Sequence, residues 1–230
     1  MILIIYSLTF LIYDDNRYIL YIHIKGETFM EKVILASNNE HKIKEFKEIY
    51  FDKIILSLKE IGFKDEIEEN GNSFLENALI KAKRVSEYAI KKGYNCPIIA
   101  DDSGLEVDSL NGEPGILSAR YAGDHDSKKN RDYLIKKLKD HENKSAHFTC
   151  CLVKFFSNGT YIYSYGKTYG HIIDKELGDT SFGYDSIFYS DDLKKTFGEA
   201  SAEEKNSVSH RNRAINELKR MEINQKNIEY

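Results

Sequence analysis

The chain has 230 residues, 41% of them hydrophobic and 30% charged, with a formal net charge of −4. That length and composition fit one large soluble globular domain with a sizeable core, and the slight acidity leaves no basic footprint for duplex nucleic acid. The three cysteines (Cys96 and the adjacent Cys150 and Cys151) make no disulfide framework and point to a reducing, cytoplasmic setting.

The run from Ile2 to Tyr13 is almost wholly apolar. It is shorter than the roughly 20 residues that span a bilayer, and it lacks the basic n-region and small-residue cleavage site of a signal peptide. Lys25-Gly26-Glu27 precedes Met30 at the distance of a ribosome-binding sequence from its start codon, if encoded by the purine-rich codons those residues allow. The expectation is that Met30 is the native start. Residues 1–29 are then a non-native extension or a disordered tail, and residues 30–230 form a single domain. The intact mass of the protein made from its own gene tests this.

After Met30, Val33–Ala36 reads as a strand. Ser37-Asn38-Asn39 is a turn with helix-cap chemistry, and residues 41–51 form a helix with Ile43, Phe46 and Ile49/Tyr50 on one face. A short strand over 54–56 follows, then a break at Asn70-Gly71-Asn72-Ser73. Residues 74–92 form a long amphipathic helix with Leu75, Ala78, Leu79, Ala82, Val85 and Ala89 at helical spacing. The apolar run 97–100 predicts a strand that ends at Asp101-Asp102-Ser103-Gly104, and 105–107 a separate short strand. Residues 126–138 are helical. The runs 147–156 and 161–169 are long strands, joined by a turn whose Asn158-Gly159 is a hairpin signal. A glycine-bearing loop over 178–185, a short strand over 187–189 and one closing helix over 207–221 complete the pattern. Strand–helix alternation followed by a hairpin predicts an α/β fold with a mixed sheet flanked by helices.

Two adjacent carboxylates after a buried strand are costly to desolvate without a cation beside them. Hard oxygen ligands of this kind suit Mg²⁺, which takes one or two carboxylates and completes its shell with water and substrate phosphate. The histidines and cysteines have no zinc-ligand spacing. Ser37 to Lys42 leads a strand into a helix N-terminus, where free N–H groups and the positive dipole end favour phosphate. The same residues also fit a plain S-x-x-E cap, and no P-loop is present. Ser73-Phe74-Leu75-Glu76 is itself a capping-box pattern. Arg120 lies among small residues and Tyr121. Phe182-Gly183-Tyr184-Asp185 offers an aromatic and an approachable backbone to a flat ring. Lys205, His210 and Arg211 bracket the start of the last predicted helix, where cations are dipole-unfavourable unless an anionic or carbonyl-bearing partner faces them.

In this order, six segments together resemble the inosine triphosphate pyrophosphatase family. They are Leu35 to Lys42, Ser73 to Ala78, Ala100 to Leu105, Pro114-Gly115 with Ser118 to Tyr121, Gly178 to Asp185, and Glu203 to Lys205 with Ser209 to Arg211. Asn38 stands where many members carry glycine, and Ser186 where proline is common. The resemblance implies an elongated mixed sheet in two lobes around a central nucleotide cleft, a homodimer, and Mg²⁺-dependent hydrolysis of deaminated purine nucleoside triphosphates (ITP, dITP, XTP) to monophosphate and pyrophosphate. It implies that Ser37, Asn38, Asn39, Glu40, His41 and Lys42 cradle the triphosphate. Glu76 and Asp102 then hold the metal with Asp101 in support, and Asp102 is also the general base. Ser103 touches substrate, Phe182, Gly183, Tyr184 and Asp185 form the loop against the base, and Lys205, His210 and Arg211 read its 6-oxo group. The rival readings are a septum-inhibitor-type nucleotide pyrophosphatase of different base specificity and a non-catalytic nucleotide- or RNA-binding module. No nucleic-acid or membrane partner is expected.

Overall fold

The computed structural model describes the backbone of residues 10–14, 17–21, 23–24, 27–28, 30–123, 125–180 and 182–228, and side chains within 30–224 of these. In the leading segment β1 (Phe10–Asp14) pairs with β2 (Arg17–Tyr21), and β3 (His23–Ile24) with β4 (Glu27–Thr28). Neither pair joins the main sheet. The remainder of the expected extension lies outside the described residues.

From Glu31 onward the chain builds one seven-stranded sheet. Its strands are β5 (Glu31–Leu35), β6 (Lys53–Ser57), β7 (Ile98–Val107), β8 (Ser145–Phe155), β9 (Tyr161–Ile172), β10 (Phe188–Ser190) and β11 (Lys195–Thr196). The spatial order is β11-β10-β9-β8-β7-β5-β6. β5 runs parallel to both β6 and β7, and every other pairing is antiparallel, so the sheet is mixed as the pattern predicts. Asn158 closes the β8–β9 hairpin by accepting from the Thr160 N–H and hydroxyl.

Helices cover both faces, which explains why Val33, Ile34 and Leu35 are all buried. On one face α2 (Phe74–Lys91) lays Ala78, Ala82, Val85 and Ala89 against Ile34, Ile98, Ala100 and Val153. On the other, Phe46 and Tyr50, from α1 (Glu40–Ile49) and its C-cap, join Ala214, Ile215 and Leu218 of α5 (His210–Ile228) over Val33, Leu35, Ile99 and Leu152. Each Val, Leu, Ile or Phe side chain among these, fully buried, contributes roughly 1.5–3 kcal/mol. α5 seats closely because β9 carries Gly166: a Cβ there would stand 2.0 Å from the His210 carbonyl oxygen and 2.3 Å from the Ala214 nitrogen.

Three sequence expectations need correction. β7 does not stop before Asp101. It runs unbroken through Asp101-Asp102-Ser103-Gly104 to Val107, absorbing the predicted separate strand, because β8 partners every residue of it. The parallel ladder to β5 ends earlier, at Leu35↔Ile99, so β7 outruns its neighbour just before the aspartates. The single closing helix is two helices. α4 (Ala202–Val208) starts with a capping box of Ser201 and Glu204, and the extended Ser209 (φ −66, ψ 150) separates it from α5. Lys205 therefore sits in the last turn of α4, where a cation suits the dipole, and only His210 and Arg211 open a helix. Finally, β11 and the 3-10 turn Asp185–Ile187 were not foreseen.

Candidate active site

Consecutive strand residues point to opposite faces, and Asp101 and Asp102 do so. Asp101, 1% exposed, faces α1 and α5. Its Oδ2 lies 3.0 Å from Lys42 Nζ and 3.4 Å from Arg211 Nη2, and accepts from Ser103 Oγ at 2.9 Å. Burial alone would raise this carboxyl, but Lys42, Arg211 and Lys81 outweigh it and hold it far below the usual carboxylate range. Asp102 faces α2. Its Oδ2 accepts from Asn77 Nδ2 at 3.0 Å, and its Oδ1 lies 3.8 Å from Lys81 Nζ. Here burial wins: the Asp102 carboxyl is raised, with Lys81 opposing and Glu69 adding to the rise.

Lys81 is buried and shared. Its Nζ donates to Glu69 Oε2 at 2.8 Å while facing Asp102. Burial would lower it, but Asp102 and Glu69 keep the ammonium charged. Glu69 and Asp102 thus converge on one cation. Glu76, expected to face Asp102, is exposed instead, and its Oε2 accepts from the Asn72 N–H at 2.6 Å. The Ser73 side chain caps α2 by accepting from the Glu76 N–H at 3.2 Å. The helix places the neighbouring Asn77, and Lys81 one turn on, toward Asp102. No cluster of three metal-ligating acids, histidines or cysteines occurs among the described residues.

On the Asp101 face an ion chain of alternating sign runs between helices. Lys42 meets Asp101, and Asp101 meets Arg211. Arg211 pairs with Glu45, Glu45 lies 3.1 Å from Lys205, and Lys205 lies 2.6 Å from Asp185. Burial would raise Glu45, but the Arg211 and Lys205 charges hold it down at about 2. Burial likewise works against charge on Lys205, yet Asp185 and Glu45 keep it protonated. The Lys205 ammonium sits 4.9 Å from the centre of the Phe182 ring, which in turn lies 5.0 Å from the His41 ring. His210 stacks on Phe148 at 5.0 Å, and burial together with Arg211 pushes it well below its ordinary value, so the imidazole is neutral. Two buried nitrogens at this corner, His210 Nδ1 and Arg211 Nε, find no hydrogen-bond partner among the described residues.

At the start of α1 the cap is Asn39, not Ser37. Asn39 Oδ1 accepts from the Lys42 N–H at 3.1 Å, while Ser37 Oγ accepts from the Asn39 N–H at 3.1 Å. Asn38, Glu40 and His41 are exposed beside it. Tyr184 is buried and its hydroxyl donates to the Ser118 carbonyl at 2.9 Å. Arg120 donates to the Glu69 carbonyl at 3.3 Å, joining the loop that carries Glu69. Glu45, Glu69, Asn77 and Lys81 were given no role from sequence. The signal that could have found Lys81 is its charge beside the apolar positions of α2.

The Ham1 family model matches residues 33–221, all of this sheet but the first two residues of β5, and both faces of the site. The chain belongs to the Ham1 family. It is 50% identical over 197 residues to the dITP/XTP pyrophosphatase of Clostridium perfringens, covering 83% of this chain and 96% of that protein. It is 45% identical over 193 residues to the dITP/XTP pyrophosphatase of Leuconostoc mesenteroides, covering 81% and 94%. Among solved structures it is similar to the Staphylococcus aureus Ham1 protein, with a TM-score of 0.74 and 38% identity over 85% of this chain and 100% of that one. The HAM1 protein of Coxiella burnetii is likewise similar, with a TM-score of 0.75 and 33% identity over the same shares.

Proposed function

We propose that the protein hydrolyses deaminated purine nucleoside triphosphates (ITP, dITP and XTP) between the α- and β-phosphates, releasing nucleoside monophosphate and pyrophosphate. The observation that carries this is the divided fate of the aspartate pair. Asp101 is consumed by two cations, whereas Asp102, its carboxyl raised by burial, is paired only with Asn77 and Lys81 and is left to act as the base. The names borne by the relatives supply the substrate class.

The N-terminus of α1, with Lys42, is assigned to the phosphates, since its first N–H groups and dipole favour an anion. Phe182 is assigned to the face of the base. Lys205 and the unspent Arg211 Nε and His210 Nδ1 are assigned to its edge. Donors there fit a 6-oxo group, and an adenine amino group would leave them unpaired, the costly kind of mismatch. A divalent metal is assigned to the Asp102 carboxylate with Glu76, an oxygen donor exposed at the start of α2, as its second ligand; the Glu69 carboxylate is held by Lys81. Bound there, Mg²⁺ would supply charge neutralisation for the triphosphate. Asn77 and Lys81 fix the Asp102 carboxylate, and Lys42 and Arg211 keep Asp101 ionised without using it in the reaction.

A cytoplasmic setting fits three free thiols, two of them buried, with Cys150 pushed up to about 12 and Cys151 to about 11, mainly by burial. Among the described residues no helix is long and apolar enough to cross a membrane. A homodimer is also proposed. Tyr161, Tyr163, Tyr165 and Tyr169 stand 42–54% exposed along one face of β9, an apolar stripe that a second copy would cover. The test of function is a panel of nucleoside triphosphates with Mg²⁺, measuring pyrophosphate against orthophosphate. Pyrophosphate from ITP and XTP is expected. Orthophosphate, a different base preference, or no turnover overturns the proposal in favour of the rival readings. Light scattering of the purified protein tests the dimer.

A further inference from the structure

α3 (Ser127–Lys137) lies away from the ion chain, yet it buries two consecutive polar side chains, Asn130 at 3% and Arg131 at 2% exposure. Successive positions on a helix diverge by about 100°, so the two reach different loops. Asn130 accepts from the Ala122 and Gly123 N–H groups at 2.7 and 3.1 Å and donates to the Ala119 carbonyl at 3.1 Å. Arg131 donates from Nε to Glu176 Oε1 and from Nη1 to the Gly183 carbonyl, both at 2.7 Å.

Gly183 occupies the left-handed region at φ +50, open to glycine and strained for other residues. Beyond it the chain is pinned many times: Tyr184 to Ser118, the Asp185 N–H to the Phe182 carbonyl, and the Gly198 N–H to the Asp185 carbonyl. The Gly183 carbonyl itself is held from outside the loop by Arg131. A buried guanidinium is an expensive way to fill space that an aliphatic side chain could fill. Its planar fork matters because it fixes two partners in one geometry, which lysine cannot do.

We propose that Arg131 is a positioning residue for substrate binding. By tying the Gly183–Tyr184 peptide and Glu176 to one guanidinium, it fixes the loop one residue beyond Phe182 and so the place of the Phe182 ring under Lys205, the position assigned to the purine. The inference rests on the proposed function only for the identity of the substrate; the placement of Phe182 is independent of it.

The chain contains no tryptophan, so Phe182→Trp installs a single fluorescent reporter at this position. Adding Arg131→Gln to that reporter is expected to raise acrylamide quenching of ligand-free protein clearly. In the otherwise unaltered enzyme Arg131→Gln is expected to raise KM for ITP by roughly ten-fold with kcat little changed, the pattern of lost uniform binding. Arg131→Lys is expected to recover only part of the loss. Should Arg131→Gln fail to fold, Glu176→Gln, which removes one end of the clasp, is expected to increase quenching in the same sense. Unchanged quenching in the folded variant overturns the proposal, as does a lower melting temperature with KM and quenching unaltered. If the parent enzyme releases no pyrophosphate from ITP while quenching still rises, the functional reading fails and the clasp stands.

Discussion

Replacing Glu45 by glutamine tests the ion chain at its centre, where one carboxylate faces both Arg211 and Lys205. A carboxyl held at about 2 in the folded protein, against an ordinary 4.5, contributes about 3 kcal/mol of stability at neutral pH, at ~1.4 kcal/mol per pH unit. Because the folded value is depressed, this contribution is complete above the unfolded value and is lost as pH falls through the folded one. Glu45→Gln should therefore be about 3 kcal/mol less stable than the parent at pH 7, a melting shift of roughly 6–12 °C for a domain of this size. The difference should narrow to roughly 1–2 kcal/mol near pH 3. Urea titrations of both proteins at several pH values measure it. A difference below about 1 kcal/mol at pH 7, or one that does not shrink on acidification, refutes the claim that Glu45 is held charged by its two neighbours.

Asp102→Asn should keep the fold and lower turnover by roughly 10²–10⁴-fold; near-parental turnover removes Asp102 from the chemistry. The acid limb of the parent's pH–rate profile should lie above the range of an ordinary aspartate, since burial raises Asp102; a limb at or below that range contradicts its role as base. Chelation with EDTA should abolish pyrophosphate release and added Mg²⁺ should restore it, while full activity in EDTA rules the metal out. Gly166→Ala should unseat α5, because the added carbon meets backbone rather than a movable side chain, costing several kcal/mol by the overpacking mechanism; a variant with parental stability and activity shows that the contact is soft.

How much was legible in the sequence depended on the range of each interaction. Local patterns carried the elements: the apolar spacing of α2, the Asn158-Gly159 turn and the strand over 33–36. What failed was set by distant partners. β7 runs through two acids because residues 151 and 152, some fifty positions away, supply its ladder, and nothing near Asp101 announces that. Glu45 looked like one more charge on the solvent side of α1, since its partners lie at 205 and 211. Glu69 sits in an acidic loop with Glu66 and Glu68, indistinguishable from them until Lys81 selects it. Glu76 was named as Asp102's metal partner by resemblance alone; the direct contact to Asp102 comes from its neighbour Asn77, which no local pattern singles out. The break at Ser209 carries neither glycine nor proline, so the closing segment reads as one helix.

The continuity of β7 has a geometric corollary. Asp101 and Asp102 share a peptide bond but belong to opposite sides of the sheet, and the sheet between them is a wall. The passage around it is the short stretch of β7 between the end of the β5 ladder at Ile99 and Gly104, where the 113–120 segment begins to cover the strand edge. A molecule that engages both sides has to be threaded edgewise through that gap, and it has to be long enough to reach around the strand. With α1, Lys205 and Arg211 all on the Asp101 side, a ligand held by them meets Asp102 only where it reaches into that gap.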